Sequence, residues 1–248
     1  MDALGDQAVT AVRVGPRSTE QLARLSRVWR QGEHVLISGG TGSGKTTLAR
    51  HLDEIRYQRG GHVMVMVCKP GRDDTIRDEY KGFTRWEKWR NRVSANDRKI
   101  LLWPDTKGLP PDETLKIQRE VFGEALDKLF HVGKFTLHID EGYYASHPSF
   151  LGFGDKIAML HATGRSNKLT LMTLVQRPSN IPLIIYGSVS HAFIGRTREA
   201  TDTKRLAELG GRESAKELGA RIDVQGKRDF LWIPVAPDWP AEPFNLRS

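Results

Sequence analysis

Short uninterrupted apolar runs alternate here with longer segments whose apolar residues recur every three or four positions. His34-Val35-Leu36-Ile37-Ser38 reads as a buried strand, and Thr47–Ile55 after it sets Leu48, Leu52 and Ile55 at helical spacing. Val63–Cys68 is apolar throughout, which predicts a strand covered on both faces, as in a parallel sheet. Lys99–Trp103 is a short strand stopped by Pro104. Asp112–Phe130 then carries Leu115, Phe122, Leu126 and Leu129 along an amphipathic helix. Phe135–Ile139, Leu169–Val175 and Ala192–Ile194 predict further strands, with a helix over Asp155–Thr163 between the first two. Asp229–Ile233 reads as a terminal edge strand, and two short helices flank Gly210-Gly211. Near the start, Ser18-Thr19-Glu20-Gln21 is a capping sequence for a helix bearing Leu22, Leu25, Val28 and Trp29. Residues 1–17 show no period and read as an N-terminal arm. The tail over 234–248 reads as extended, able to lie on a neighbouring subunit. The alternation predicts one α/β domain over 18–233, a mostly parallel sheet with helices on both faces and right-handed crossovers.

Residues 70–98 break this rhythm with Arg72, Arg77, Lys81, Arg85, Lys88, Arg90, Arg92 and Arg98 around Trp86 and Trp89. Arginines interleaved with tryptophans can grip a nucleic-acid backbone and stack on bases. The three-residue spacing of Trp86 and Trp89 favours instead the buried stripe of a short helix.

Of the 248 residues, 38% are hydrophobic and 27% charged, which describes a soluble globular chain and excludes a disordered one. No run approaches the roughly 18 apolar residues of a membrane span, and Met1–Asp6 lacks a signal-peptide pattern, so a cytoplasmic setting is expected. The single cysteine, Cys68, lies in an apolar strand and reads as a core residue, leaving no disulfide framework. The eight histidines show no zinc-binding spacing. A net charge of +8 suits a polyanionic partner.

The chemistry begins at Gly39-Gly40-Thr41-Gly42-Ser43-Gly44-Lys45-Thr46, a complete G-x-x-x-x-G-K-[ST] loop between a predicted strand and a predicted helix. Its backbone N–H groups can curl around a triphosphate, and the helix N-terminus adds a favourable dipole. Lys45 is expected to reach the β- and γ-phosphates of ATP, Thr46 to ligate Mg²⁺, and Thr47 to complete the cradle. Asp140, at the end of an apolar strand, is expected to hold Mg²⁺ through water, and Glu141 to act as general base toward the attacking water. Gln176, at the C-terminal end of another strand, is placed to contact the γ-phosphate and orient that water, because ligands bind at the carboxyl ends of parallel strands.

The phosphate loop, Ile139-Asp140-Glu141, and Gly164-Arg165-Ser166-Asn167-Lys168-Leu169 leading to Val175-Gln176-Arg177-Pro178-Ser179 together resemble the FtsK–HerA superfamily over about residues 20–210. That resemblance implies a RecA-like ATPase that pumps double-stranded DNA, generally as a hexameric ring. Val67-Cys68-Lys69-Pro70-Gly71 matches the family's second-strand signature loosely, with Cys68 where an acid is usual. The chain is closer in size to minimal viral packaging ATPases than to chromosome pumps, so a viral or plasmid origin within a bacterial host is one setting the resemblance allows. It also implies an arginine supplied by a neighbouring subunit, for which Arg165, Arg177, Arg196 and Arg198 are candidates. Arg165 and Arg196 rank first, as each is expected beside a strand on the catalytic edge. DNA contacts, sequence-independent and made to phosphates, are expected from Gly142–Gly154, whose Tyr143, Tyr144, Phe150 and Phe153 could alternatively pack between subunits. Two other function classes stay open. One is an assembly or secretion ATPase acting on protein partners, with a portal or membrane machine as its seat. The other is a small-molecule kinase, which has no need of Gln176 or the Asp-Glu pair.

Overall fold

The computed structural model describes residues 13–14, 16–71, 73–90, 97–197, 199–209, 215–234 and 242–247. In chain order the elements are β1 (Arg13–Val14), α1 (Pro16–Val28), β2 (His34–Ser38), α2 (Lys45–Gln58), β3 (His62–Met66), α3 (Asp74–Glu79), β4 (Thr84–Trp86) and β5 (Lys99–Leu102). They continue with α4 (Pro111–Val132), β6 (Phe135–Ile139), α5 (Gly142–Ser146), α6 (Gly154–Thr163), β7 (Thr170–Val175), α7 (Leu183–Ser188) and β8 (Val189–Gly195). Last come α8 (Ala200–Ala207), α9 (Ala215–Asp223), β9 (Asp229–Pro234) and β10 (Glu242–Arg247).

All described strands join one sheet in the order β1-β10-β9-β8-β2-β7-β6-β3-β5-β4. From β8 to β4 every pairing is parallel, while β9, β10 and β1 add on antiparallel. The strands β2, β6 and β7 are buried at every position, as a parallel sheet with both faces covered requires. Alternate residues of β2 serve the two layers. Val35 and Ile37 pack with Leu25 and Trp29 of α1 and Leu48 and Leu52 of α2. Leu36 faces the opposite cluster, which holds Phe122 and Leu126 of α4, Leu160 of α6 and Ile185 of α7.

The structure departs from the sequence reading at several places. Helix α1 starts at Pro16, two residues before the capping sequence, and Arg13–Val14 is a strand paired with β10. Strand β9 is not an edge: β10 pairs beside it, and buried Phe244 and Leu246 join the core under α1 and α2. The tail over 242–247 therefore lies on its own subunit's sheet; residues 235–241, like 1–12, fall outside the described residues. Trp86 and Trp89 are core residues as expected, with rings 6.0 Å apart and T-shaped, but Trp86 ends strand β4, and the helix of this region is α3, further upstream. Arg72 and Arg92 fall outside the described residues. Among the described residues no helix is long and apolar enough to cross a membrane.

Candidate nucleotide site

The phosphate loop leaves β2 at Ser38 and enters α2 at Lys45. Gly42 and Gly44 take φ of +73° and +91°, a left-handed backbone that glycine adopts without a Cβ penalty. Gly44 occupies the N-cap of α2 with no side-chain cap, so the first N–H groups of the helix stay available to an anion. The Lys45 ammonium donates to the carbonyls of Gly39 at 2.7 Å and Gly40 at 3.0 Å. Burial, aided by nearby Lys69, pushes its pKa down to about 8, against the opposing pull of Glu141 and Asp140. Thr46 is half-buried one position further along α2. Thr47 turns away: its hydroxyl donates to Glu79 of α3 at 2.7 Å, which leaves only its backbone to a phosphate.

Parallel register brings the acidic pair and the glutamine to the same edge. Met66 pairs with Ile139, Ile139 with Thr173 and Ser38 with Val175, so residues following β2, β3, β6 and β7 emerge together. Asp140 and Glu141 are both buried, and burial raises both carboxyls. For Asp140, His138 and Lys69 oppose that rise; for Glu141, Lys69 and Lys45 do. Glu141 Oε2 accepts from the Gln176 amide at 2.8 Å and lies 3.7 Å from the Lys69 ammonium. The Gln176 carbonyl in turn accepts from the Thr41 hydroxyl at 3.1 Å. Gln176 therefore bridges the phosphate loop and the acidic strand end, although 135 and 35 residues separate it from those partners.

Asp140 Oδ2 and Glu141 Oε1 are buried and have no hydrogen-bond partner. The orphaned Asp140 oxygen is a hard donor of the kind that fits Mg²⁺, which is bound by one or two carboxylates together with substrate phosphates. This leaves the Glu141 oxygen free for a water. Among the described residues no group of three or more His, Cys, Asp or Glu forms an all-protein cage.

The candidate arginines separate. Arg196 is exposed at the end of β8 and lines a cleft of about 610 Å³ with Gly40, Thr41, Ser43 and Gln176. Arg165 lies elsewhere: it sits in the turn before β7, with its backbone against Gly32, which precedes β2. It occupies the opposite edge of the sheet from its own phosphate loop, contrary to the expected catalytic-edge position. A six-residue strand separates the two edges by about 20 Å. Arg177 is held by Asp202 and Glu199. Arg198 falls outside the described residues.

Nor is Gly142–Gly154 an open loop. It forms α5 and folds back, Tyr144 stacks on Phe150 at 4.6 Å, and Tyr143, Tyr144 and Phe153 pack on the subunit's own core. Cys68 is fully buried in the core, where burial pushes its thiol well up. Lys69 and Asp202 also belong to the site and were not among the candidates; Lys69 lies within the second-strand signature, whereas no local pattern marks Asp202.

No family model matches the chain. The curated relative EcfA1, an energy-coupling factor transporter ATP-binding protein of Symbiobacterium thermophilum, is 27% identical over 172 residues. The match covers 62% of this chain and 58% of that protein, so the chain spans less than two thirds of its length. Among solved structures, B204, the DNA-packaging ATPase from Sulfolobus turreted icosahedral virus, aligns with a TM-score of 0.62 at 15% identity, over 88% of this chain and 100% of its own. VirB4 of Thermoanaerobacter pseudethanolicus aligns with a TM-score of 0.60 at 10% identity, over 86% and 88%. With its phosphate loop between β2 and α2 and a mostly parallel sheet, the chain has the α/β P-loop fold of these two proteins, the architecture that its resemblance to the FtsK–HerA superfamily implies.

Proposed function

We propose that this chain is an Mg²⁺-dependent ATPase that works as an oligomeric ring, a hexamer by resemblance, and translocates or packages double-stranded DNA. The observation that carries the reading is Gln176, hydrogen-bonded at once to Thr41 of the phosphate loop and to Glu141. In this reading the loop over Gly39–Thr47 binds the triphosphate, and Lys45 leaves its two carbonyl partners to neutralise phosphate charge. Thr46 and Asp140 hold Mg²⁺, which supplies Lewis-acid charge stabilisation when bound. Glu141 takes the proton of the attacking water; its raised carboxyl is a better base than an exposed one. Gln176 orients that water. Arg165, remote from its own loop, serves the nucleotide of an adjacent copy, while Arg196 faces its own cleft. The net charge of +8 supports a polyanionic track, and the likeness to a DNA-packaging ATPase supports DNA as that track.

One feature favours the second reading, an assembly ATPase acting on protein within a portal or membrane machine. A mainly apolar groove of about 1080 Å³ lies beyond the ends of β3 and β5, lined by Phe83, Trp103, Leu109, Leu115, Tyr144 and Phe150. Such a lining suits a polypeptide better than a phosphate backbone. Steady-state hydrolysis with and without long double-stranded DNA separates the two. Stimulation that is lost at high salt, and absent in Glu141→Gln, supports the DNA motor. Turnover indifferent to DNA rejects it and favours a protein partner.

A further inference from the structure

The cleft beside the phosphate loop is bounded by an ion-pair cluster that the nucleotide chemistry leaves unused. Arg177, directly after Gln176, turns away from the loop: its Nε lies 3.1 Å from Asp202 Oδ2 and its Nη2 2.6 Å from Glu199 Oε2. Asp202, on the first turn of α8, is only 1% exposed. Its other oxygen, Oδ1, accepts the backbone N–H of Ser179 at 2.9 Å. One buried carboxylate thus grips the residues on either side of Pro178, one turn of chain beyond the strand end that bears Gln176. From α7, the Tyr186 hydroxyl donates to the Pro178 carbonyl and holds the same segment from another side.

The two carboxylates facing Arg177 are not equivalent. The side chain of Glu199 is 51% exposed, and a solvent-screened pair of that kind holds geometry weakly. Asp202 is buried, so removing either of its partners strands a charge or a donor away from water. The position of Arg177 is therefore set by Asp202.

We propose that Asp202 is a positioning residue for ATP hydrolysis: through Arg177 and the Ser179 N–H it fixes the strand end so that Gln176 spans Thr41 and Glu141. The proposal rests on the reading of Gln176 as the γ-phosphate contact. It withdraws Arg177 from the candidates for a finger in trans, since an Arg177 that reached a neighbour would leave Asp202 buried without its counter-charge. It also makes α8 the element that any displacement of Gln176 moves first, because Asp202 ties the two together.

The Asp202→Asn substitution keeps a carbonyl oxygen for Ser179 while removing the charge beneath Arg177. We expect kcat to fall about tenfold, inside the ~10²-fold that a misplacement of 1 Å can cost, with KM within about twofold. Glu199→Gln is expected to leave both unchanged. The decisive comparison is a cycle with Gln176→Ala. If Asp202 acts through Gln176, Asp202→Asn adds no further loss of kcat in that background, and an additive loss overturns the proposal. A second readout needs no turnover: the affinity ratio between a non-hydrolysable ATP analogue and ADP, measured by fluorescence competition. It should fall equally in Asp202→Asn and Gln176→Ala. If the wild-type chain binds the analogue but does not hydrolyse ATP, the ATPase reading fails, and this ratio alone decides the role of Asp202; an unchanged ratio overturns it. Should Asp202→Asn not fold, Arg177→Gln breaks the same pair from its exposed side and is read in the same two ways.

Discussion

Where the parallel strands begin, His34 and His161 are buried and all four ring nitrogens have partners. His34 Nδ1 accepts the Leu171 N–H and its Nε2 donates to the His161 carbonyl, while the His161 ring meets the hydroxyls of Ser188 and Thr173. Where the same strands end, Asp140 and Glu141 are buried too, yet each keeps an oxygen with no partner. Burial has a matching signature at the two ends: it pushes the histidines down and the carboxyls up, in each case toward the neutral form. The difference lies in satisfaction. A saturated polar network fixes a fold, and an unsatisfied one at a strand C-terminus leaves capacity for a ligand. The Lys45 ammonium, folded onto two loop carbonyls at the second end, belongs to the same unspent capacity.

The largest expected effect lies at the unsatisfied end. Replacing Glu141 with Gln removes the base and should lower kcat by about 10²–10⁴ while ATP affinity, followed by equilibrium binding, stays near that of wild type. A variant that loses binding in proportion to turnover would place Glu141 in the cradle and not in the chemistry.

Next in size is Arg165→Ala. It lies where the strands begin, near His34, so a purely structural role predicts a loss of stability with little change in hydrolysis per folded molecule. A role in trans predicts a fall in kcat of about 10³, the lower end of what an arginine finger supplies. Mixing Arg165→Ala with Lys45→Ala chains sharpens the contrast, since shared sites would combine one chain's intact loop with the other's intact arginine. Recovered activity in the mixture supports the trans assignment, and no recovery at any mixing ratio sinks it.

The smallest effect concerns stability alone. Burial holds His34 at about 4, against 6.5 for an unperturbed imidazole. The unfolded chain therefore binds a proton that the folded chain refuses between those values. Its contribution is fully present above pH 6.5 and is lost as pH falls toward 4, by about 3 kcal/mol in all. Urea unfolding at pH 7 and pH 4.5 should show this slope in the wild type and a flatter one in His34→Gln. Equal slopes in the two proteins would mean that His34 is not the neutral partner seen here.

Much of the scaffold was legible because its signals are local. The run Val63–Cys68 and the spacing of Leu115, Phe122, Leu126 and Leu129 are periodicities that burial on one or two faces imposes directly. The phosphate loop was legible because glycine at 42 and 44 answers a backbone demand. Elements with weak patterns escaped. Three-residue β4 and six-residue α7 are too short to show a period, and β10 was masked by Pro243 within its span. The edge position given to β9 failed for a related reason: which strand lies outermost depends on what pairs beside it.

The sequence by itself determined that an anion-binding loop joins a strand to a helix, and that an acidic pair and a glutamine end two further strands. Each of these is set by the chemistry of a few consecutive residues. Tertiary structure alone decided which candidates meet. Parallel register carries Gln176 to Thr41 and Glu141, sends Arg165 a strand's length away to the opposite edge, and commits Arg177 to Asp202. The order of strands in a sheet arises from long-range packing, and no spacing along the chain encodes it.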